Sequence, residues 1–185
     1  MRPFRPVVTS FEIVYVLGIT GPPGSGKSTF ARRLADLLGA DLAPMDGFHL
    51  HNAELERRGL VEVKGAPETF DRAGYVAGLR DLRSGTAVEW PLYDRDMHEP
   101  VPGPPLSGSI VVTEGNYLLN WPEVRPLLDA CWFLSVPDAV IEERLLDRHL
   151  RGGKSIDVAR HKVAQDLENA RLINATVDRA DLVIR

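Results

Sequence analysis

The sequence predicts an α/β domain with a mainly parallel sheet, on three observations. Short apolar runs recur along the chain and are separated by longer stretches of helical pattern. The first run, Ile13 to Ile19, leads straight into a glycine-rich loop and then a helix-forming segment, the order in which a parallel strand–helix–strand unit begins. The 185 residues suffice for one well-buried domain and are short for two.

Taken in order, strands are expected at Ile13–Ile19, at Leu42–Met45 ending at Asp46, at Ala87–Trp90, Ser109–Thr113, Ala130–Val136 and Leu182–Ile184, each a short apolar run bounded by polar or turn residues. Helices are expected at Lys27–Leu38, His51–Arg58, Asp71–Leu82, Ala139–His149 and Ile156–Leu172, the last with the clearest periodicity. Residues 1–11 read as an N-terminal tail to one domain over 1–185. Between Glu99 and Gly108 the prolines at 100, 102, 104 and 105 demand extended loop rather than helix or central strand. The basic, glycine-bearing run Arg148-His149-Leu150-Arg151-Gly152-Gly153-Lys154 interrupts two helices and suits a mobile lid over about 148–155.

A hydrophobic fraction of 44% and a charged fraction of 26% match an ordinary globular domain. A net charge of −4 argues against a general nucleic-acid binder, and no run approaches the roughly 18–20 apolar residues of a membrane span. The basic start faintly imitates a signal peptide, but the apolar run after it enters the glycine loop, where cleavage would destroy the motif. Cys131 is the only cysteine and sits in an apolar run, which makes it a packed thiol and leaves no internal disulfide to form. A reducing, cytoplasmic setting is expected.

Gly21-Pro22-Pro23-Gly24-Ser25-Gly26-Lys27-Ser28 matches G-x-x-x-x-G-K-[ST] at every fixed position. Glycines let the backbone curl its N–H groups inward around a phosphate chain, Lys27 reaches the β/γ-phosphates, and Ser28 offers its hydroxyl to Mg²⁺. The following helix turns its positive end to the same anion. The motif thus implies a nucleoside triphosphate and Mg²⁺, with a P-loop NTPase-type three-layer α/β/α architecture and a small lid. Asp46, at the carboxyl end of the second strand, is either a turn former or a base that accepts a hydroxyl proton; the phosphate loop favours the base. Glu114 ends the strand Ser109–Thr113 and is the acid expected near Mg²⁺. Arg144, Arg148 and Arg151 share a helical face. Arg148 and Arg151, beside Gly152-Gly153, are expected to close over the triphosphate, whereas Arg144 reads as solvated surface. His49 reads as pocket wall and His51 as a helix start.

These residues, with Asp46-Gly47-Phe48-His49, Lys64-Gly65-Ala66-Pro67-Glu68-Thr69-Phe70-Asp71, Trp90-Pro91-Leu92-Tyr93-Asp94-Arg95, Glu114-Gly115-Asn116-Tyr117-Leu118-Leu119 and Gln165-Asp166-Leu167-Glu168-Asn169-Ala170, resemble the phosphoribulokinase/uridine kinase superfamily. The likeness is to its bacterial nucleoside-kinase-like branch related to type I pantothenate kinase, from Ile13 to the end. It implies an ATP- and Mg²⁺-dependent kinase acting on a hydroxyl of a small metabolite. Carried onto this chain, the donor loop is Gly21 to Thr29, the base Asp46, the acid Glu114 and the lid cations Arg148 and Arg151. The acceptor pocket maps to Lys64, Phe70, Tyr93, Arg95 and His98, with Asn116 and Tyr117 near its floor. Aromatic faces with hydrogen-bonding tips suit a nucleoside, a sugar or a pantothenate-like polyol. A nucleotide kinase and a non-catalytic ATP-binding regulator are the alternatives, and the oligomeric state stays open, a homodimer included.

Overall fold

The computed structural model describes residues 14–185; the expected tail 1–11 and the first residue of the expected first strand, Ile13, lie outside the described residues. Strand β1 (Tyr15–Thr20) sits in the middle of a five-stranded sheet, flanked by β7 (Ile110–Gly115) and β8 (Ala130–Leu134). β2 (Asp41–Pro44) pairs outside β7 and β9 (Leu182–Ile184) outside β8, and all four pairings are parallel. A parallel sheet buries both faces, and alternate residues of β1 serve the two sides. Val14 and Val16 enter one core, with Ala43 and Val111; Leu17 and Ile19 enter the other, with Val112 and Leu134.

Helix α1 (Lys27–Leu38) covers the second of these faces through Ala31 and Ala35, and the short α2 (Asn52–Arg58) buries Leu55. The opposite face is covered by Tyr75, Val76, Leu79 and Leu82 of α3 (Arg72–Arg83), with Trp90 and Trp121 beside them. Trp90 and Tyr75 are fully buried and meet edge-on, their centroids 5.8 Å apart. Each also satisfies its polar tip: the Trp90 indole N–H donates to the Pro44 carbonyl and the Tyr75 hydroxyl pairs with Thr113. The three-layer α/β/α arrangement is therefore the observed one. Helices α4 (Asp138–Arg151) and α5 (Ile156–Asn174) join through Ile141, Leu145 and Val163, and Ile173 anchors α5 in the main core.

Three expectations need correcting. The run Ala87–Trp90 supplies only β3 (Val88–Glu89), which pairs antiparallel with β6 (Pro105–Leu106) outside the main sheet. The proline-rich segment is not wholly loop, since β5 (Glu99–Val101) pairs antiparallel with β4 (Leu92–Asp94). Proline is tolerated there because a two-stranded piece is all edge. The break between the last helices is also shorter than the expected lid, because α4 runs through Arg151 and only residues 152–155 connect it to α5.

Candidate active site

Parallel pairing gathers the carboxyl ends of β1, β7 and β2. Ile19 lies opposite Glu114, and Pro44 lies opposite Glu114 on the other side. The loop from Gly21 to Gly26 leaves β1 and feeds α1, so the helix N-terminus and Lys27 arrive beside Glu114. Gly24 (φ +80°) holds a left-handed turn where α4 comes close: a Cβ there would stand 3.4 Å from both the Ile141 carbonyl oxygen and Leu145 Cγ. Arg144 Nη1 donates to the Gly24 carbonyl at 3.1 Å. The residue read as solvated surface in fact braces the loop.

Lys27 is buried, and desolvation pulls its pKa below the usual lysine range against the raising influence of Glu114 and Asp46. Ser28 Oγ donates to Glu114 Oε2 at 3.1 Å. Burial, with the Asp46 charge second, pushes the Glu114 carboxyl up to about 7. A buried carboxylate in want of positive charge beside a hydroxyl oxygen is a fitting donor set for Mg²⁺, and Ser28 and Glu114 are the residues that would hold it. The Ser25 hydroxyl is buried in the same loop without a partner among the described residues. Thr29, in the first turn of α1, completes the expected donor stretch with Pro22 and Pro23.

Asp46 lies in a single 3-10 turn, Met45–Phe48, directly after β2. No side chain caps that turn, and the Asp46 carboxylate faces Arg95, whose Nη2 is 3.6 Å from Oδ2. The β4–β5 hairpin carrying Arg95 is laid onto this turn at Gly47, where a Cβ would fall 1.9 Å from the Pro91 carbonyl oxygen; no other residue fits. His49 follows. Burial lowers its pKa, so at neutral pH it is uncharged and donates from Nδ1 to the Asp46 carbonyl at 2.8 Å. Its ring lies between Phe70 and Tyr93, with centroids 4.0 and 4.5 Å away.

Lys64 reaches across to Asn52 Oδ1 (2.6 Å) and the His98 carbonyl (2.5 Å), with Nζ 5.6 Å from the Tyr93 ring centroid. Burial and the Asp46 charge raise the Tyr93 phenol to about 12, so it stays a neutral donor. His98 itself is exposed, in a left-handed turn (φ +54°), and joins this group through its backbone. Phe70 and Tyr117 are buried walls: they meet edge-on at 5.6 Å, and the Tyr117 hydroxyl donates to the Gly65 carbonyl at 2.6 Å. Half-buried Asn116 follows β7, its side-chain oxygen without a partner among the described residues.

The lid arginines divide. Arg148 donates to Asp166 of α5 at 3.2 Å, and its charge is felt at Lys27. Arg151 pairs with Asp147 one turn back on its own helix and is 78% exposed, with its charge already met by that neighbour. Sequence reasoning missed Asn52, Asp166 and the brace role of Arg144. For Arg144 the helical spacing to Arg148 was the available signal; Asn52 and Asp166 depend on packing between distant segments.

The family model described as "Phosphoribulokinase / Uridine kinase family" matches residues 16–185. The chain belongs to that family. It is 35% identical over 182 residues to the uncharacterized protein YggC of Escherichia coli K12, an alignment covering 91% of this chain and 76% of that one. A pantothenate kinase of Parvibaculum lavamentivorans is 33% identical over 160 residues, covering 75% of this chain and 49% of the relative, so the chain spans about half the length of that enzyme. A crystal structure from Silicibacter sp. TM1040, provisionally named a fructose transport system kinase, superposes with a TM-score of 0.87 at 37% identity, covering 100% of this chain and 93% of that one. A provisionally named uridine kinase from Bacillus stearothermophilus, at 23% identity and a TM-score of 0.61, covers 93% of this chain and 89% of its own and shares the fold. By family and fold the protein is a P-loop kinase.

Proposed function

We propose that the protein, as a single kinase domain in the cytoplasm, transfers the γ-phosphate of ATP to a hydroxyl group of a small polyol metabolite. The observation that carries this reading is the position of Asp46. Its carboxylate follows β2 at the same sheet edge as Lys27, Ser28 and Glu114, and its charge acts on both Lys27 and Glu114. A carboxylate there can accept the proton that the attacking hydroxyl must lose, a role a phosphate acceptor would not require.

Lys27 and the loop amides bind the β- and γ-phosphates, and Arg148 approaches from the lid to meet charge that develops in transfer. Mg²⁺, held by Ser28 and Glu114, would neutralise phosphate charge when bound. On the acceptor side Tyr93 and Lys64 offer donors, His49 and Phe70 offer flat walls, and Arg95 orients the Asp46 carboxylate. That mixture suits a sugar-like or pantothenate-like acceptor, and the names of two relatives point the same way.

The test is ADP release measured with sugars, pantothenate, nucleosides and nucleoside monophosphates as acceptors. Stimulation by a hydroxyl compound, with a phosphate ester as product, is expected. Stimulation by monophosphates alone would overturn the reading in favour of a nucleotide kinase.

A further inference from the structure

We infer that one face of α5 couples the donor-side lid to the acceptor-side segment, through Lys162, Gln165 and Asp166. These positions are spaced three and four apart and so share a helical face. At one end, the Asp166 carboxylate accepts from Arg148 Nη2 (3.2 Å) and His149 Nε2 (3.0 Å), both in the last turn of α4. At the other, Lys162 Nζ (3.2 Å) and Gln165 Nε2 (3.0 Å) both donate to the backbone carbonyl of Glu62. Glu62 belongs to the 3-10 turn Val61–Val63, which delivers Lys64 and Gly65 to the acceptor group.

That turn buries no side chain, and Val61 and Val63 are 46% and 40% exposed. Little apolar burial fixes it, so its hydrogen bonds to the body of the protein carry much of its order. On one side Tyr117 holds Gly65; on the other, α5 holds Glu62. A guanidinium has donors enough to serve a carboxylate and a phosphate together. Arg148 can therefore grip a triphosphate while still bound to Asp166. Occupancy of the donor site then stiffens the turn of α5 that clamps the acceptor segment, and Lys64 is ordered before the acceptor arrives. Through linkage, an ordered acceptor segment favours the nucleotide-bound lid by the same factor.

This inference rests on the reading of Lys27 and Arg148 as donor-site cations and of Lys64 as an acceptor-site group. It is tested without knowing the acceptor, by hydrogen exchange of the amides of residues 61–66 with and without Mg²⁺ and adenylyl imidodiphosphate. In the native protein the nucleotide should slow exchange there by about fivefold or more, the scale of typical coupling. The double variant Lys162→Met, Gln165→Leu keeps both apolar stems and removes both donors. It should bind the nucleotide with no more than the about fivefold loss of affinity that linkage allows, melt cooperatively, and lose the slowing. Asp166→Asn, which weakens the other end, should lose it too. Slowing that persists in both variants would overturn the coupling through α5, as would its absence in a native protein shown by calorimetry to bind the nucleotide. If the native protein binds no nucleotide, the kinase reading itself fails, and this inference with it.

Discussion

The proposed donor half and the proposed acceptor half of the site are built in opposite ways. The donor half is carried mainly by one continuous piece of chain, Gly21 to Thr29, which runs from β1 into α1 and meets Glu114 of the neighbouring β7, with Lys27 and Glu114 buried. The acceptor half is collected from five segments around Asp46, Asn52, Lys64, Tyr93 and Asn116, and its cation Arg95 has a side chain 68% exposed. A triphosphate is the same in every kinase, so rigid backbone geometry can recognise it. An acceptor differs from one kinase to the next, and side chains on loops and a hairpin can be altered without disturbing the sheet. The comparison predicts that donor changes abolish transfer to any acceptor, while acceptor changes alter which compound is used.

The largest effect should come from Lys27→Ala. It removes the fixed cation of the donor half and should bring turnover to background with every acceptor, while the variant still melts cooperatively. Turnover within a few-fold of native in the folded variant would break the assignment of the loop. Next, Asp46→Asn keeps the turn but removes the proton acceptor. Single-turnover transfer at saturating ATP should fall by about 10²–10⁴-fold with nucleotide binding retained. Loss of nucleotide binding instead would move Asp46 into the donor half.

The same contrast explains what the sequence revealed. The donor half was legible because one local motif carries it, and the strand leading into it is marked by its own apolar run. Glu114 was legible because it ends a buried strand. In the acceptor half Asp46 and His49 were read from the residues and Asn52 was missed, while Lys64, Phe70, Tyr93, Arg95, Asn116 and Tyr117 came only through the resemblance, and the contact made by His98 proved to be its carbonyl rather than its ring. Arg144 was misread because a basic helical face looks alike whether it meets water or a loop carbonyl 120 residues away in sequence. The small β3–β6 and β4–β5 pairings were hidden by prolines, which mark edge positions and loops equally well.

A middle-sized effect sharpens the boundary between the halves. Arg148→Ala should lower kcat by about tenfold with less change in the ATP KM, because its contact strengthens as charge develops in transfer. Arg144→Ala removes the brace on Gly24 and should raise the ATP KM by about three- to tenfold, the scale of one solvent-exposed hydrogen bond. Arg151→Ala, whose partner is Asp147 on the same exposed face, should leave both constants near native values. Steady-state kinetics on the three variants separates them, and a strong Arg151 effect would show that the lid closes further than the structure displays.

The smallest effect concerns protons, where the two halves have opposite signs. In the donor half, Glu114 is raised from 4.5 to about 7, so between those values the folded protein binds more protons than the unfolded chain. Stability without nucleotide should therefore fall as pH rises through that window and level off above it. In the acceptor half, Glu99 is held below the usual carboxylate range, chiefly by the Asn52 N–H that its Oε1 accepts at 2.9 Å. Its contribution is present at neutral pH and lost only as pH falls below the ordinary glutamate range. Melts from about pH 2.5 to pH 8 should show the Glu114 decline in the native protein. Glu114→Gln cannot titrate, and should remove about 1–3 kcal/mol of the change between roughly pH 4.5 and pH 7. Glu99→Gln should flatten only the acid limb. A Glu114→Gln curve parallel to the native one would mean that the donor carboxylate is already ionised in the empty site, with Lys27 supplying the compensating charge.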